Sequence, residues 1–460
     1  MTTALYSRHL PTFRETAALL RLTGPIAAIA LLNMGMSLTD MVMVGRLGTD
    51  ALAAVAVVSD LYSIVFYVAT GFVLVLGPLI AEARGAGRPG EVRQLIRSGM
   101  VAAVLAAGPA AALVWVCPSL LHLIGVPPEM VAAGQGYAQM MSGTVALLVI
   151  VVLWRTVLAA HERPHAFVWF AVAALPLKAL GNHVFIHGAW GIPALGVTGA
   201  GASSLLVAAL MAIGLTFYAA TTSVFRGLRL FAAPWDPASV GRVMSILRQG
   251  VPMGLGSLGE VGLFLIATPL VAMFGPQAMA AHIIALRITG VLYAAENSLG
   301  QAASIRIAHA LGTGDDALRR QRVSSAMLAA GVLGLTAMAV LAASAEGVPG
   351  LFLAADDAAS RGASDQAARL ILVVAIVHVP LAFGTVALGV LRGHKDWRVP
   401  MVTTNASYWC VGLPVVGVLA FGLNLQEHGV WLGLGTGAVC AALCSGRRLR
   451  RMVSSAPART

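Results

Sequence analysis

Long uncharged stretches determine what this chain can fold into. Eight segments run for about the length of a membrane helix without one Asp, Glu, Lys or Arg: 98–121, 130–154, 188–225, 261–286, 323–345, 370–391, 399–426 and 428–446. Four further apolar segments, interrupted by a few charges, are 21–44, 51–81, 165–187 and 278–307. A helix needs about 20 apolar residues to cross the hydrocarbon core of a bilayer. The sequence therefore predicts an all-α polytopic membrane protein with twelve transmembrane helices.

The composition excludes most soluble classes of protein. Charged residues make up 11% of the 460 residues and hydrophobic ones 58%, and the mean hydropathy is +0.84. Soluble domains carry about 25% charged residues. The net charge of +11 rests on too few charged side chains to coat a surface for nucleic acid. We therefore expect the lipid bilayer, and no nucleic acid, as the partner of this chain.

The distribution of Lys and Arg predicts the orientation of the helices, because cytoplasmic loops are enriched in these residues. With the amino terminus placed inside, the inner loops carry Arg84, Arg88, Arg93, Arg97, Arg163, Arg226, Arg229, Arg242, Arg248, Arg319, Arg320, Arg322, Arg392, Lys395 and Arg398. The outer loops carry Arg46, Arg361 and Arg369. Both termini are therefore expected in the cytoplasm.

An internal repeat occurs at an offset of 227 residues, and at an offset of 233 farther on, where Val157, Leu158 and His161 match Val390, Leu391 and His394. It relates Pro25 to Pro252, Gly48 to Gly275, Gly85 to Gly312, Gly87 to Gly314 and Arg93 to Arg320. The repeat unit is six helices, and an even number makes the two copies parallel, as in transporters built from two similar bundles. We predict an amino-terminal six-helix lobe over 1–225, a cytoplasmic linker over 226–245, and a carboxy-terminal six-helix lobe with a basic tail over 246–460. The two lobes are expected to surround a central cavity.

Charged residues at span depth are the candidates for function. Each costs at least about 2.5–3.5 kcal/mol at the centre of a helix, so these side chains are expected to face a cavity or one another. They are Asp40, Asp60, Lys178, Glu260, Arg287 and Glu296. The repeat relates Asp60 to Arg287 and Asn33 to Glu260.

Asp40 and Glu260 are the candidate cation-coupling residues. Asp40 lies fifteen residues after Pro25, which can kink its helix. A carboxylate that gains a proton there can approach apolar neighbours, whereas a charged one must stay hydrated. The alternative for Asp40 is a solvated position near the outer membrane surface. The alternative for Glu260 is a structural ion pair with Arg287.

Lys178 and Asn182 lie one turn apart on the predicted fifth span. Lys178 either snorkels to a helix end or needs a carboxylate partner, for which Asp40 is the candidate. Asp60 is interpreted as an ion-pair partner that also lines the cavity.

Several other side chains are candidates to line the cavity. Glu296 follows Tyr293 by three residues, which places both on one helix face. Met34 and Met36 offer an adaptable apolar surface, although packing against lipid is the commoner role of such residues. His378 is a further titratable group in an apolar run, and a lone core histidine is the favoured interpretation.

Short motifs distributed over nearly the whole chain resemble one family. They are Thr39-Asp40-Met41-Val42-Met43-Val44-Gly45, Ala280-Ala281-His282, Ala303-Ser304-Ile305-Arg306-Ile307, Leu391-Arg392-Gly393-His394-Lys395-Asp396, Ser407-Tyr408-Trp409 and Gly412-Leu413-Pro414. Together and in this order they resemble the multidrug and toxic compound extrusion (MATE) family of cation-coupled antiporters, most of all its NorM-like branch. The resemblance implies a two-lobe exporter in the inner membrane that exchanges organic cations for Na⁺ or H⁺.

The resemblance also implies roles for single residues. Asp40 and Glu260 fall on the acidic positions of the first and seventh helices, and Asn182 falls on the polar position of the fifth. Two positions depart from the family pattern. Leu381 stands where NorM-like proteins carry an Asp, which weakens a site for Na⁺. Lys178 stands where a neutral polar residue is usual, which makes proton uptake by Asp40 harder and favours Glu260 as the first coupling residue.

These observations predict a monomeric exporter of hydrophobic, cationic small molecules that is driven by H⁺ in preference to Na⁺. No enzymatic activity, cofactor or resident metal is expected. A flippase for lipid-linked precursors and a dedicated exporter of a single secondary metabolite remain alternatives. A polytopic enzyme would need a cluster of His and Asp. The one local candidate, 161–165, has the repeat mate 394–396, which indicates a structural loop motif instead.

Overall fold

The computed structural model describes residues 13–123, 127–230, 239–352 and 358–454, and these residues are predominantly helical. The prediction of twelve spans is confirmed, since twelve helices within these described ranges are long and apolar enough to cross a membrane. They are α1 (Phe13–Gly45), α2 (Thr49–Gly85), α3 (Pro89–Trp115), α4 (Pro128–Ala160), α5 (His165–His187), α6 (Val197–Thr221), α7 (Ser239–Ala272), α8 (Pro276–Thr313), α9 (Asp316–Ser344), α10 (Ala358–Gly393), α11 (Arg398–Gly422) and α12 (Gln426–Ser454).

The chain divides into two compact units whose borders lie inside helices. The first unit is Ala28–Gly254. The second unit comprises the described residues of 255–460 together with those before Ala28. Helices α1 and α7 therefore each contribute to both units. Residues 231–238 of the predicted linker lie outside the described residues, and the lobe boundaries derived from the sequence stay predictions.

An ion cluster explains why the start of α1 belongs to the second unit. Glu15 on α1 accepts a hydrogen bond from the guanidinium of Arg306 on α8. The same Glu15 oxygen lies 3.5 Å from Nε of Arg322 on α9. Two arginines on neighbouring helices thus hold the first turn of α1.

The internal repeat is visible in the backbone as well as in the sequence. Three pairs of repeat-related residues share positive φ angles: Gly48 and Gly275 (120° and 101°), Gly87 and Gly314 (67° and 71°), and Glu162 and Lys395 (57° and 61°). Side chains strain this region of backbone space, and glycine does not. The glycine pairs therefore mark turns that both halves of the chain make in the same way.

Helices α8 and α10 pack with their backbones in close approach. A methyl group added to Gly389 on α10 would lie 2.3 Å from the carbonyl oxygen of Gly300 on α8. Small residues allow such approaches between membrane helices. The contact matters for the site because Glu296 lies one turn before Gly300 and therefore faces α10 at short range.

Helix α11 departs from α-helical geometry over two stretches. Ala406–Gly412 and Gly417–Gly422 are π-helical. A π turn widens the helix, and such turns occur frequently at functional sites. The first stretch contains Tyr408, which is buried beside the cleft described below.

Candidate functional site

Asp40 is held by two donors on one face of α5 in the first unit. Lys178 Nζ lies 2.7 Å from Asp40 Oδ1. Asn182 Nδ2 donates to the same oxygen at 2.7 Å. Residues four apart on a helix lie on the same face, which is why Lys178 and Asn182 reach one carboxylate. Of the two sequence interpretations of Lys178, the structure places the lysine with the carboxylate and not at a helix end.

The Lys178 ammonium uses all three of its hydrogen-bond donors. Besides Asp40 it donates to Ser204 Oγ at 2.6 Å and to the carbonyl oxygen of Ala200 at 3.2 Å, both on α6. The side chain is 4% exposed. A buried ion pair is tolerable only when such additional hydrogen bonds satisfy the charges. The carboxylate of Asp40 therefore has a built-in cationic partner.

Glu260 is the corresponding carboxylate of the second unit. Tyr293 on α8 donates its hydroxyl to Glu260 Oε2 at 2.7 Å. The guanidinium of Arg392 contacts Glu260 Oε1. Sequence reasoning missed Arg392, which it assigned to an inner loop because Arg392 follows the last apolar residue of its span. The basic residue seen on Glu260 is Arg392 of α10. The alternative for Glu260, an ion pair with Arg287, stays a prediction, and Arg287 is exposed.

A row of polar side chains on α8 leads to Glu260. Gln301 Nε2 donates to Asn297 Oδ1 at 3.0 Å, and Asn297 Nδ2 lies 3.4 Å from the hydroxyl oxygen of Tyr293. Each residue is four positions from the next, so the row follows one face of the helix. The hydroxyl of Tyr293 accepts from Asn297 and donates to Glu260. The row therefore orients the Tyr293 hydroxyl as a hydrogen-bond donor to the Glu260 carboxylate.

A small cleft lies beside Glu260 in the second unit, and we call it the Glu260 cleft. Its lining includes Tyr293, Leu381, Thr385 and Tyr408. Leu381 is buried and faces the same space as Glu260. Among these lining residues Glu260 is the one carboxylate. Within the described ranges, no group of three or more His, Cys, Asp or Glu residues is placed to hold a metal ion.

His378 and Glu296 form a pair inside the second unit. His378 Nδ1 lies 2.8 Å from Glu296 Oε1, and both residues are 0% exposed. His378 is therefore not the lone core histidine that the sequence favoured. The sequence could not reveal this pair, because the apolar run around His378 gives no sign of a partner on another helix. Neither residue is among those that line the Glu260 cleft.

The remaining predicted residues lie apart from these contacts. Asn33 and Asp60 are exposed, and Met34 and Met36 are half-buried. Within the described part of the chain, Asp60 has no Lys, Arg or His within ion-pair distance, so the ion pair expected for it is not formed here.

His161 and His394 are structural caps at the ends of α4 and α10. The Nδ1–H of His161 donates to the carbonyl oxygen of Val157 at 2.8 Å, and His394 makes the same bond to Val390 at 2.9 Å. Burial lowers the pKa of His161 to about 4, and it lowers the pKa of His394 as well. These shared bonds support the loop-motif interpretation over a catalytic cluster.

The low pKa of His161 predicts a loss of stability in acid. The folded state keeps this imidazole neutral, while the unfolded chain binds a proton below about pH 6.5, so stability falls as pH drops from about 6.5 towards 4. His161→Gln is expected to flatten this part of the profile of melting temperature against pH, measured on purified protein in detergent. His122→Gln alters an exposed histidine and should leave the slope unchanged. An unaltered slope in His161→Gln would contradict the assignment.

Comparisons with known proteins agree with this architecture. The MatE family pattern matches residues 25–184 and 252–418. A probable multidrug resistance protein NorM from Bradyrhizobium diazoefficiens is 32% identical over 92% of this chain and 90% of that protein. One of the same description from Rhodopseudomonas palustris is 31% identical over 96% of this chain and 93% of that protein.

Solved structures show the same fold. The eukaryotic MATE transporter AtDTX14 superimposes with a TM-score of 0.84 at 22% identity, over 95% of this chain and 96% of that one. The Vibrio cholerae MATE transporter VcmN in its bent form gives 0.83 at 18% identity, over 96% of this chain and 98% of that one. The molecule is a multi-pass membrane protein of the transporter class. It belongs to the MatE family.

Proposed function

We propose that this chain is a proton-driven antiporter that exports hydrophobic, cationic small molecules by alternating access. The observation that carries the proposal is the pairing of both candidate coupling carboxylates with a basic side chain of their own unit. Asp40 is paired with Lys178, and Glu260 with Arg392. Such intramembrane ionisable groups mark ion and substrate pathways.

The ion pairs make proton binding and cation binding oppose each other. A proton on Asp40 removes the negative charge that balances the Lys178 ammonium, so the surroundings gain one net positive charge. A cationic substrate is then repelled, since like charges at close range in low dielectric interact strongly. The same reasoning applies to Glu260 and Arg392. Proton uptake thus favours release of a cation, and proton loss favours binding of the next.

The atoms around the carboxylates favour H⁺ over Na⁺. Hard metal cations prefer sets of oxygen ligands. The oxygens of Asp40 and Glu260 instead accept hydrogen bonds from Lys178, Asn182, Tyr293 and Arg392. A bound Na⁺ would have to displace these donors, whereas a proton needs one free lone pair. The apolar side chain at Leu381 adds no oxygen to the Glu260 cleft.

The relatives and the charge pattern supply the wider setting. Several relatives are described as multidrug resistance proteins, which supports amphipathic drugs as substrates. The bias of Lys and Arg supports cytoplasmic termini and an inner-membrane location, and we infer that the monomer is the transporting form. One proton that moves down a pH gradient equivalent to 100 mV provides about 2.3 kcal/mol. At tenfold per 1.4 kcal/mol, it sustains a gradient of roughly forty-fold.

Export of a fluorescent cation from living cells tests the proposal. The chain is expressed in an efflux-deficient bacterium loaded with ethidium, and a pH gradient or a Na⁺ gradient is imposed separately. We expect efflux to accelerate with an inward proton gradient and to ignore Na⁺ at constant pH. Cells that carry the empty vector provide the baseline. Export that requires Na⁺ at fixed pH would overturn the choice of ion, and export equal to the baseline would overturn the transport of this substrate class.

A further inference from the structure

The buried Glu296–His378 pair is not used by the proposed transport cycle. Glu296 on α8 and His378 on α10 approach to 2.8 Å between Oε1 and Nδ1. Their outer atoms, Glu296 Oε2 and His378 Nε2, are buried and have no hydrogen-bond partner. Buried polar atoms normally have a partner, and an exception calls for an explanation. Two such unpartnered atoms on one pair indicate that the pair binds an ion or a small ligand.

The charge states of the pair favour the binding of one proton. When one proton is added to the neutral imidazole and the carboxylate, the pair becomes uncharged overall, whether the proton sits on Glu296 or on His378. Without that proton it carries one negative charge. An isolated carboxylate at 0% exposure is very costly. While the pair is fully buried, as it is in this structure, the proton is therefore held. It can leave only when water or another polar group reaches the pair.

In the described part of the chain, the helices packed around the pair present no fixed cation that could replace the proton. From α9, the segment 323–344 contains no charged or titratable residue. From α12, the segment 429–446 contributes Cys440 and Cys444. Tyr408 of α11 lies within electrostatic reach of both Glu296 and Glu260 of α7. The positively chargeable partner of Glu296 in the described structure is thus the imidazole itself.

The pair also lies next to the Glu260 cleft. Tyr293, which hydrogen-bonds Glu260, is one turn before Glu296 on α8. Leu381, which lines the cleft, is one turn after His378 on α10. A modest separation of α8 from α10 would therefore connect the pair to the cleft.

A row of polar side chains approaches the pair from the start of α8. His282, Thr289 and Glu296 follow one another at intervals of seven residues, which is about 10.5 Å per step along one face. Trp431 Nε1 donates to His282 Nδ1 at 3.1 Å, so the proton of the neutral ring is on Nε2, 3.2 Å from Thr268. The hydroxyl of Thr289 is buried and has no partner. These groups mark a polar line through an otherwise apolar interface.

We infer that Glu296 and His378 together bind one of the protons that the chain transports. The inference rests on the proposed function and adds a second proton site to the unit that contains Glu260. A histidine nitrogen on one side and a single free carboxylate oxygen suit a proton and not Na⁺, which needs several oxygens. The proton enters the pair when its surroundings are open to one side of the membrane and leaves when they open to the other.

Proton-coupled accumulation of ethidium in proteoliposomes tests the inference. Full-length protein is reconstituted, a pH gradient is imposed, and both ethidium and protons are followed. Glu296→Gln and His378→Gln are each expected to lose up to the roughly forty-fold accumulation that one proton can sustain at 100 mV. The number of protons moved per ethidium should fall. Downhill movement of ethidium without a gradient should persist, because Glu260 is intact.

A matched control exists in the same unit. Glu427 is a buried glutamate whose Oε1 lies 3.0 Å from Nδ1 of its neighbour His428, at the first turn of α12. Glu427→Gln should keep the wild-type accumulation and proton count. Glu296→Asp retains the carboxyl group but withdraws it by one methylene from His378. We expect it to retain coupling with a shifted pH midpoint, and an unchanged midpoint would count against the inference.

The outcomes separate this inference from the proposed function. If wild-type accumulation ignores the pH gradient, the proposed function fails and the inference fails with it. If the wild type responds, while Glu296→Gln and His378→Gln bind ethidium and keep its accumulation and proton count, the inference alone is overturned. Loss in both variants with retention in Glu427→Gln supports it.

Discussion

Glu260→Gln is expected to weaken proton-driven export strongly while leaving the protein folded. The amide keeps the size of the side chain and can still accept from Tyr293, but it cannot bind and release a proton. The Arg392 guanidinium then has no counter-charge on Glu260, so the Glu260 cleft stays positive and disfavours a cation throughout the cycle. If each transport cycle moves one proton fewer, accumulation of the substrate should fall roughly forty-fold at 100 mV.

Ethidium accumulation in inverted membrane vesicles measures this effect. Respiration acidifies the vesicle interior and drives uptake of the exported cation. Arg392→Gln in the Glu260→Gln background removes the unbalanced positive charge and should restore binding of ethidium, though not its accumulation. Wild-type accumulation by Glu260→Gln would show that this carboxylate does not couple ion and substrate.

Lys178→Met is expected to destabilise the first unit more than a typical substitution does. The change leaves the half-buried Asp40 with Asn182 as its remaining observed donor. Removal of one partner from a buried ion pair costs about 3–5 kcal/mol, which is the upper bound here. Asp40→Asn in the same chain removes the orphaned charge. The double variant Asp40→Asn/Lys178→Met should therefore recover most of the lost stability, which is the signature of a direct interaction.

Thermal unfolding of the purified variants in detergent measures this cycle. The other lysine of the chain, Lys395, is exposed, and Lys395→Met is the matched control that should lower the melting temperature by less than Lys178→Met does. Additive losses in the double variant would contradict the Asp40–Lys178 pair.

The sequence predicted the helices because the physics is local. A bilayer requires long uncharged segments, and the absence of Asp, Glu, Lys and Arg from eight segments is visible without any structure. The repeat was predictable for a similar reason, since Gly48 and Gly275 occupy equivalent turns that need the same backbone conformation. The contact between Asp40 and Lys178 followed from chemistry, because a buried ammonium needs a carboxylate and few were available.

The contacts between helices that the sequence did not predict depend on packing. Arg392 follows an apolar segment and resembles a loop residue, yet its long side chain reaches Glu260. His378 and Glu296 are 82 residues apart, and no spacing rule relates α8 to α10. Their approach depends on the close contact at Gly300 and Gly389, which is apparent only once the helices are placed together.

In the proposed transport cycle, substrate export and proton entry are one process. The most direct test of this coupling is to count protons in proteoliposomes that contain wild-type protein and no Na⁺. An outward flux of ethidium down its own gradient is imposed, and the pH inside the vesicles is followed. Protons are expected to enter against their gradient as ethidium leaves, in a fixed ratio of at least one. Efflux of ethidium with no proton entry, or only after Na⁺ is added, would contradict this coupling.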